Sequence, residues 1–383
     1  MTRLLIKNIS LVTPDNVQEN YGILVQDERI ESVFPMAHVP DGKMDREIDG
    51  HGAFACAGLI DVHIHGFGGY GPENNTVKDL LAMSEMLARY GVTSFCPTLY
   101  CAQPEKLCQQ LSRLVAALGH EKGAQILGFH LEGPFISPQK PGAMKPQDIA
   151  SPDVKTMEKL YEAAQGHMTQ MTLAPERENI APVVEFCLKH HILPQAGHTN
   201  ATYEEFCHGV EIGVRHATHA FNAMSALNQR APGAAGAVLM NPEVSCEIIG
   251  DGVHVHPALI SFLRTVKKPE QIVLITDALT PTEQAQGPFI ANGDEVVFEG
   301  GVWRRKTDRV ITGSALTLSQ GIKNLVTWGY PLPQAVRCAN ANPAHLLQLK
   351  NRGQLAPGFQ ADITLLKSDF TPYATFIRGQ QIF

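Results

Sequence analysis

Asp61, His63 and His65 stand two residues apart in the run Gly58-Leu-Ile-Asp-Val-His-Ile-His-Gly66. Along an extended segment successive side chains alternate between faces, so these three share one face while Val62 and Ile64 take the other. Two imidazoles one strand repeat apart, just ahead of a glycine, suit a divalent metal. Taken alone, the pair reads equally well as two packed or surface histidines. Further candidates recur along the chain. They are Glu132 in His130-Leu-Glu-Gly-Pro134, His198 in Ala196-Gly-His-Thr199, His219 in His216-Ala-Thr-His219, His254 in Gly250-Asp-Gly-Val-His254, and Asp277 in Ile275-Thr-Asp-Ala278. Imidazole and carboxylate together suit zinc or another first-row divalent ion such as iron, cobalt or manganese. Such an ion lowers the pKa of a bound water toward neutrality. A neighbouring carboxylate, Asp277, can take the water proton and hand it to a leaving group. Amide hydrolysis and deamination need that second transfer, because an amine leaves only once protonated.

Each candidate follows an apolar run. Runs at 59–65, 94–99, 126–131, 168–173, 192–196, 214–217, 244–249 and 272–275 alternate with helical patterns. Near-continuous apolar strands between helices indicate a parallel sheet covered on both faces. Eight such units fit an α/β fold of the TIM (β/α)8 type, whose catalytic groups gather at the C-terminal ends of the strands. The candidates fall at those ends. A lone His or Asp after a strand is more often a loop residue, but six on one rim point to a metal site. Thr76 and Asp79 open a helix that closes at Gly91, and Thr202 with Glu205 makes a capping box. The first fifty residues and the last thirty hold only short β-rich runs, too few at either end for a core. Together, 1–55 and 349–383 make a small β-sandwich domain beside a barrel domain of 56–348. Residues 292–310 read as a hairpin inserted after the eighth strand.

The chain has 383 residues, 44% hydrophobic and 18% charged, with a net charge of −7. It is long enough for a large core. Without a basic run, nucleic acid and anionic membranes are poor partners. No apolar run reaches membrane-span length, and the N-terminus turns polar too early for a secretory signal. Eight cysteines without a CxxC pair read as reduced core residues of a cytoplasmic protein. His130 and His216 precede proposed ligands within strands and read as packed or supporting residues. His190, His191 and His208 read as surface residues, and His256, ahead of a proline, as either. Arg230 lies in the loop after the strand-six ligand. By charge alone it is a solvated loop residue, but the nearby His254 favours a clamp for phosphate or carboxylate.

Several segments are more specific: His130-Leu-Glu-Gly-Pro134, Leu173-Ala-Pro-Glu176, Ala196-Gly-His-Thr-Asn-Ala201, Asp251-Gly-Val-His254, Thr276-Asp-Ala278 and Thr312-Gly-Ser314. With the His63/His65 segment and the terminal run from Gly353 to Asp362, they resemble the N-acetylglucosamine-6-phosphate deacetylase family of the amidohydrolase superfamily. The resemblance covers nearly the whole chain in order. It implies a barrel with a β-sandwich from both termini, a homodimer, and Glu132, His198 and His219 as metal ligands. His63 and His65 are retained, so one or two ions per subunit are implied, with Glu132 able to bridge them. Asp277 matches the general base and acid. Asn222, Ala223 and His254 match positions that hold the sugar phosphate, and Arg230 one that reaches the neighbouring subunit's site. Ile311, Thr312 and Gly313 match a further substrate loop. One departure stands out. After Lys140-Pro-Gly-Ala143 the family usually has histidine, and this chain has Met144, which cannot donate a hydrogen bond. The implied reaction is hydrolysis of N-acetylglucosamine 6-phosphate to glucosamine 6-phosphate and acetate, a step of amino-sugar catabolism. The alternatives are the galactosamine epimer or another phosphorylated amino sugar, a ring amidase or deaminase on the same barrel, and a non-catalytic sugar-phosphate binder.

Overall fold

The apolar runs of the centre form eight parallel strands in the computed structural model, which describes residues 2–383. In chain order they are Leu59–Ile64, Val92–Leu99, Phe129–Glu132, Met168–Leu173, Leu193–Ala196, His216–Ala217, Ser245–Ile249 and Ile272–Ile275. Each pairs with the next. The seam between the eighth and the first is closed by backbone groups: Asp277 N–H donates to His63 O and His65 N–H to Ala278 O, both at 2.9 Å. Asp61 reinforces the seam by accepting from Thr276 Oγ1 at 2.6 Å. It thus acts as a clip between strands and stands outside the metal-type clusters.

The barrel interior is polar beneath its rim. His130, Gln170, Thr172, Gln195, His216 and Glu247 are all fully buried there. His130 is level with Thr98 on one neighbour and Gln170 on the other. Helices cover the outside. Val77–Arg89 starts where Thr76 Oγ1 accepts from Asp79 N–H at 3.0 Å, and it buries Leu80, Met83 and Leu87. Each such side chain contributes roughly 1.5–3 kcal/mol by leaving water. Both hydrogen bonds of the Thr202/Glu205 capping box form ahead of Tyr203–Glu211.

The third strand departs from the expected 126–131. A short piece, Gln125–Ile126, is followed by a break and then by Phe129–Glu132. Gly128 makes the break, with φ +142° and room for no side chain: a Cβ would lie 2.6 Å from Thr169 Cγ2. The restart carries the strand one residue further and delivers Glu132 to the rim.

Both chain ends enter one eight-stranded sheet. Its strands are Arg3–Val12, Val17–Gln26, Arg29–Pro35, Arg46–Asp49, Phe54–Ala57, Ile363–Leu366, Pro372–Ile377 and Gln380–Gln381. Ile363–Leu366 runs antiparallel to Phe54–Ala57 and so joins the ends. Ile6, Ile9, Ile23, Leu365 and Phe376 are buried in its separate core. The insertion after the eighth strand is fuller than a hairpin. Ile290–Ala291, Asp294–Glu299, Val302–Arg305 and Ile311–Ser314 form a four-stranded antiparallel sheet. It is tied to the rim by Ser314 N–H donating to Asp277 O at 2.9 Å. All eight cysteines are unpaired, and no helix among the described residues is long and apolar enough to cross a membrane.

Candidate active site

The strand ends converge on two groups of three. In Glu132/His198/His219 and in His63/His65/Asp277, the ligand atoms lie within 4.8 Å of one another. Glu132 stands between the groups. Its Oε1 is 3.1 Å from His198 Nε2 and 2.9 Å from His219 Nε2, while its Oε2 is 3.1 Å from His65 Nε2. Asp277 Oδ1 is 3.6 Å from His63 Nε2 and 3.4 Å from His65 Nε2. Asp277, the expected proton carrier, therefore belongs to the second cluster. His198, His219 and Asp277 have φ of +48°, +26° and +50°. Such left-handed backbone costs on the order of 1–3 kcal/mol per residue and persists where surrounding structure enforces it.

Three of the four imidazoles are oriented from behind. His63 Nδ1 meets Glu247 Oε2 at 3.0 Å, His65 Nδ1 meets Thr98 O at 3.2 Å, and His198 Nδ1 meets Lys140 O at 3.0 Å. With Nδ1–H donating outward, each Nε2 lone pair faces the centre, the usual arrangement of metal-ligating histidines. His63 Nε2 is shielded and has no hydrogen-bond partner. His198 Nε2 and His219 Nε2 face each other at 3.2 Å beside the Glu132 carboxylate. Three nitrogen and oxygen donors within reach of one another suit a divalent ion. Each group meets that requirement.

The electrostatics agree. Burial penalises the Glu132 charge, yet hydrogen bonds from His198, His219 and His65 hold its carboxyl well below the usual range. Burial lowers the His63 pKa, but the charge and hydrogen bond of Glu247, with Asp277 and Glu132, raise it to about 10 in the ion-free protein. A cation at this place answers the same negative potential that otherwise draws a proton.

Glu247 is a site residue that the sequence reading missed. It lies on the seventh strand, fully buried. Besides His63 it accepts from His219 N–H at 3.1 Å and Gln195 Nε2 at 3.3 Å, and His216 Nε2 lies 3.7 Å away. Burial opposes its charge, but the charge and hydrogen bonds of His63 and His216 together outweigh that and hold its carboxyl well below the usual range. The available signal was a glutamate between Cys246 and Ile248 in a strand buried on both faces, since a charge there must be paired. His130 and His216 support the site from within. His130 Nδ1 meets Thr98 Oγ1 at 3.1 Å and its Nε2 meets Thr172 Oγ1 at 2.8 Å; His216 Nδ1 meets Ser245 Oγ at 2.7 Å. Burial and the His63 charge keep His130 neutral. His256 caps the helix Pro257–Val266 by accepting from Ala258 N–H.

A cavity of about 310 Å³ opens over the two groups. Ala143, Met144, Asn222, Ala223 and His254 line it, and Ile311, Thr312 and Gly313 wall it from the inserted sheet. His254 is fixed by its Nδ1–H donating to Asp251 Oδ2 at 2.6 Å, which leaves Nε2 for a ligand. Asn222 Nδ2 is spent on His219 O and Ala220 O, which leaves Oδ1 as its free atom. Gly142 presses on His198; a Cβ there would lie 2.9 Å from Cε1. Arg230 is exposed on its loop and does not line this cavity; no lysine or arginine does. A wider polar chamber of about 430 Å³ adjoins, sharing Tyr100 and Asn292 as a common wall.

An eight-stranded barrel with paired His/carboxylate clusters at its C-terminal rim defines a metal-dependent hydrolase. Comparison with known proteins narrows this: the amidohydrolase family matches residues 54–382, and the chain belongs to that family. It is 30% identical to the N-acetylglucosamine-6-phosphate deacetylase of Bacillus subtilis (strain 168), over 99% of this chain and 97% of the relative. It is also 30% identical to the N-acetylgalactosamine-6-phosphate deacetylase of Escherichia coli O157:H7, over 97% of each. A Mycobacterium smegmatis N-acetylglucosamine-6-phosphate deacetylase variant, solved with N-acetylglucosamine 6-phosphate bound, superposes with a TM-score of 0.93 over all of both chains at 29% identity.

Proposed function

We propose that the protein hydrolyses the acetamido group of N-acetylglucosamine 6-phosphate, giving glucosamine 6-phosphate and acetate in the cytoplasm. The observation that carries this reading is Glu132 set between two three-residue clusters, with Asp277 facing the same cavity. Glu132, His198 and His219 would hold one ion, and His63, His65 and Asp277, with Glu132 shared, a second. Zinc fits the donor set, and iron, cobalt or manganese are alternatives. A divalent ion here polarises the amide carbonyl and makes water a competent nucleophile near neutral pH.

The residues do the rest. The Asp277 carboxylate accepts a proton from the attacking water and returns it to the amide nitrogen, so the amine leaves neutral. With a proton on both ring nitrogens, His254 would donate Nδ1–H to Asp251 and Nε2–H to the phosphate, with Asn222 and the Ala223 backbone beside it. No lysine or arginine lines that cavity, while a phosphate dianion calls for a permanent cation. This supports a homodimer in which Arg230 crosses to the neighbouring site. Ile311–Gly313 and Ala143 close round the sugar.

Relatives of equal identity act on either epimer, so N-acetylgalactosamine 6-phosphate is the second reading. Acetate release from both substrates, with metal analysis of the same preparation, tests the proposal. Release from the glucosamine compound is expected. Absence of acetate from both sugars at full metal loading would overturn it in favour of a sugar-phosphate binder.

A further inference from the structure

Met144 lines the cavity at the position where the resemblance implies a histidine, and its thioether is at most a weak acceptor. The acetamido carbonyl gains negative charge as water adds, so a donor aimed at it is worth a large share of the rate. The cavity offers few. Asn222 Nδ2 is committed to two backbone carbonyls, and Thr312 Oγ1 donates to Trp303 O at 3.1 Å. His254 is taken by the phosphate in the reading above. His219 Nδ1 is also unpaired, but its ring belongs to the Glu132/His198/His219 group; outside the two groups, the donors left among the lining side chains are the Tyr100 hydroxyl and the Asn292 amide. Tyr100 Oη and Asn292 Nδ2 are both shielded from solvent and have no hydrogen-bond partner. Leaving a shielded polar group unpaired costs on the order of 1–3 kcal/mol. Two such donors on one wall mark where an oxygen-rich ligand belongs.

Position separates the two. Tyr100 directly follows the second barrel strand, and its ring lies flat on His65, with centroids 3.9 Å apart and planes within 2°. It also packs against the small cluster formed by Cys101, Ile136 and Met144. Its ring is therefore carried by the rim, stacked on His65 and packed against the cluster that includes Met144. Asn292 sits on the inserted sheet, where its backbone N–H donates to Glu73.

We infer that Tyr100 is a catalytic residue whose phenol O–H donates a hydrogen bond to the substrate's acetamido oxygen, the contact that Met144 cannot make. The proton stays on the phenol throughout, and Asp277 keeps the proton transfers. The inference rests on the deacetylase reading and is tested separately from it.

Tyr100→Phe keeps the ring on His65 and deletes one oxygen. The expected result is a fall in kcat for acetate release of about 10²–10³-fold, with KM within about threefold and ions per subunit unchanged. An N-trifluoroacetyl substrate, whose carbonyl needs less polarisation, should shrink that deficit by tenfold or more. A kcat within threefold of the parent overturns the inference. So does a loss of bound metal in step with activity, or a deficit equal on both substrates, since either marks a structural role. A parent protein that releases no acetate from either sugar overturns the deacetylase reading instead.

Discussion

Replacing Glu247 with glutamine removes one charge from behind the metal centre with little change in shape. Glu247 Oε2 sits 3.0 Å from His63 Nδ1, and both side chains are wholly buried. The amide oxygen of glutamine can still accept from Nδ1–H, so His63 keeps its orientation but loses the anion that makes its Nε2 a stronger donor. Removing such a partner typically weakens metal binding 10–100-fold, about 1.4–2.7 kcal/mol. With no water to screen the pair, the effect belongs near the top of that range. The loss should be selective. Glu247 touches His219 only through the backbone N–H, so the Glu132/His198/His219 group should hold its ion within about threefold. Chelator competition, read by metal analysis of the equilibrated protein, resolves the two affinities. Unchanged affinity at both places, or equal loss at both, would refute the reasoning. Alanine is the wrong probe, because stripping one partner from a buried pair costs about 3–5 kcal/mol and confounds binding with folding.

Gly142→Ala puts a Cβ against His198 at a backbone φ of +57°. It should lower kcat at least tenfold, with left-handed strain of about 1–2 kcal/mol visible in the melting temperature. Arg230→Ala should raise KM for the phosphorylated sugar about 10–100-fold, the worth of a charge-assisted hydrogen bond, and leave kcat within threefold; an unchanged KM would remove Arg230 from the site. Burial raises the Asp251 pKa, but the His254 hydrogen bond and charge outweigh it and hold the carboxyl below its usual value. Its stabilising contribution is therefore present above the ordinary carboxylate range, near pH 4, and is lost as pH falls through the folded value. The melting-temperature gap between the parent and Asp251→Asn should accordingly be full at pH 7 and close below about pH 4. Thr202→Ala removes a capping box and should cost about 1 kcal/mol of stability without touching turnover; a matching loss of activity would contradict that separation.

The residues of the two clusters were legible because a barrel sends polar groups to strand ends, and each of Glu132, His198, His219 and Asp277 ends an apolar run. Glu247 and Tyr100 were not legible, for different reasons. Glu247 points into the barrel from the middle of a run, where apolar patterning on both faces hides a single polar position. Tyr100 follows its strand as a large apolar residue would, and only the stacking on His65 and the unpaired hydroxyl distinguish it from packing. The break at Gly128 escaped notice because its cause, the approach of Thr169, is a contact between distant segments. The inserted sheet was read as a hairpin because its last strand, Ile311–Ser314, had been read only as a substrate loop.

The barrel seam has one more consequence. His63, His65 and Asp277 hold the first strand to the eighth through their backbones while their side chains form one three-residue cluster. The cylinder cannot part along this line without scattering that cluster. A library of variants ranked only by turnover is therefore ranked at the same time by how well the cylinder stays shut. Any mutation elsewhere that loosens it will be counted as a defect in chemistry.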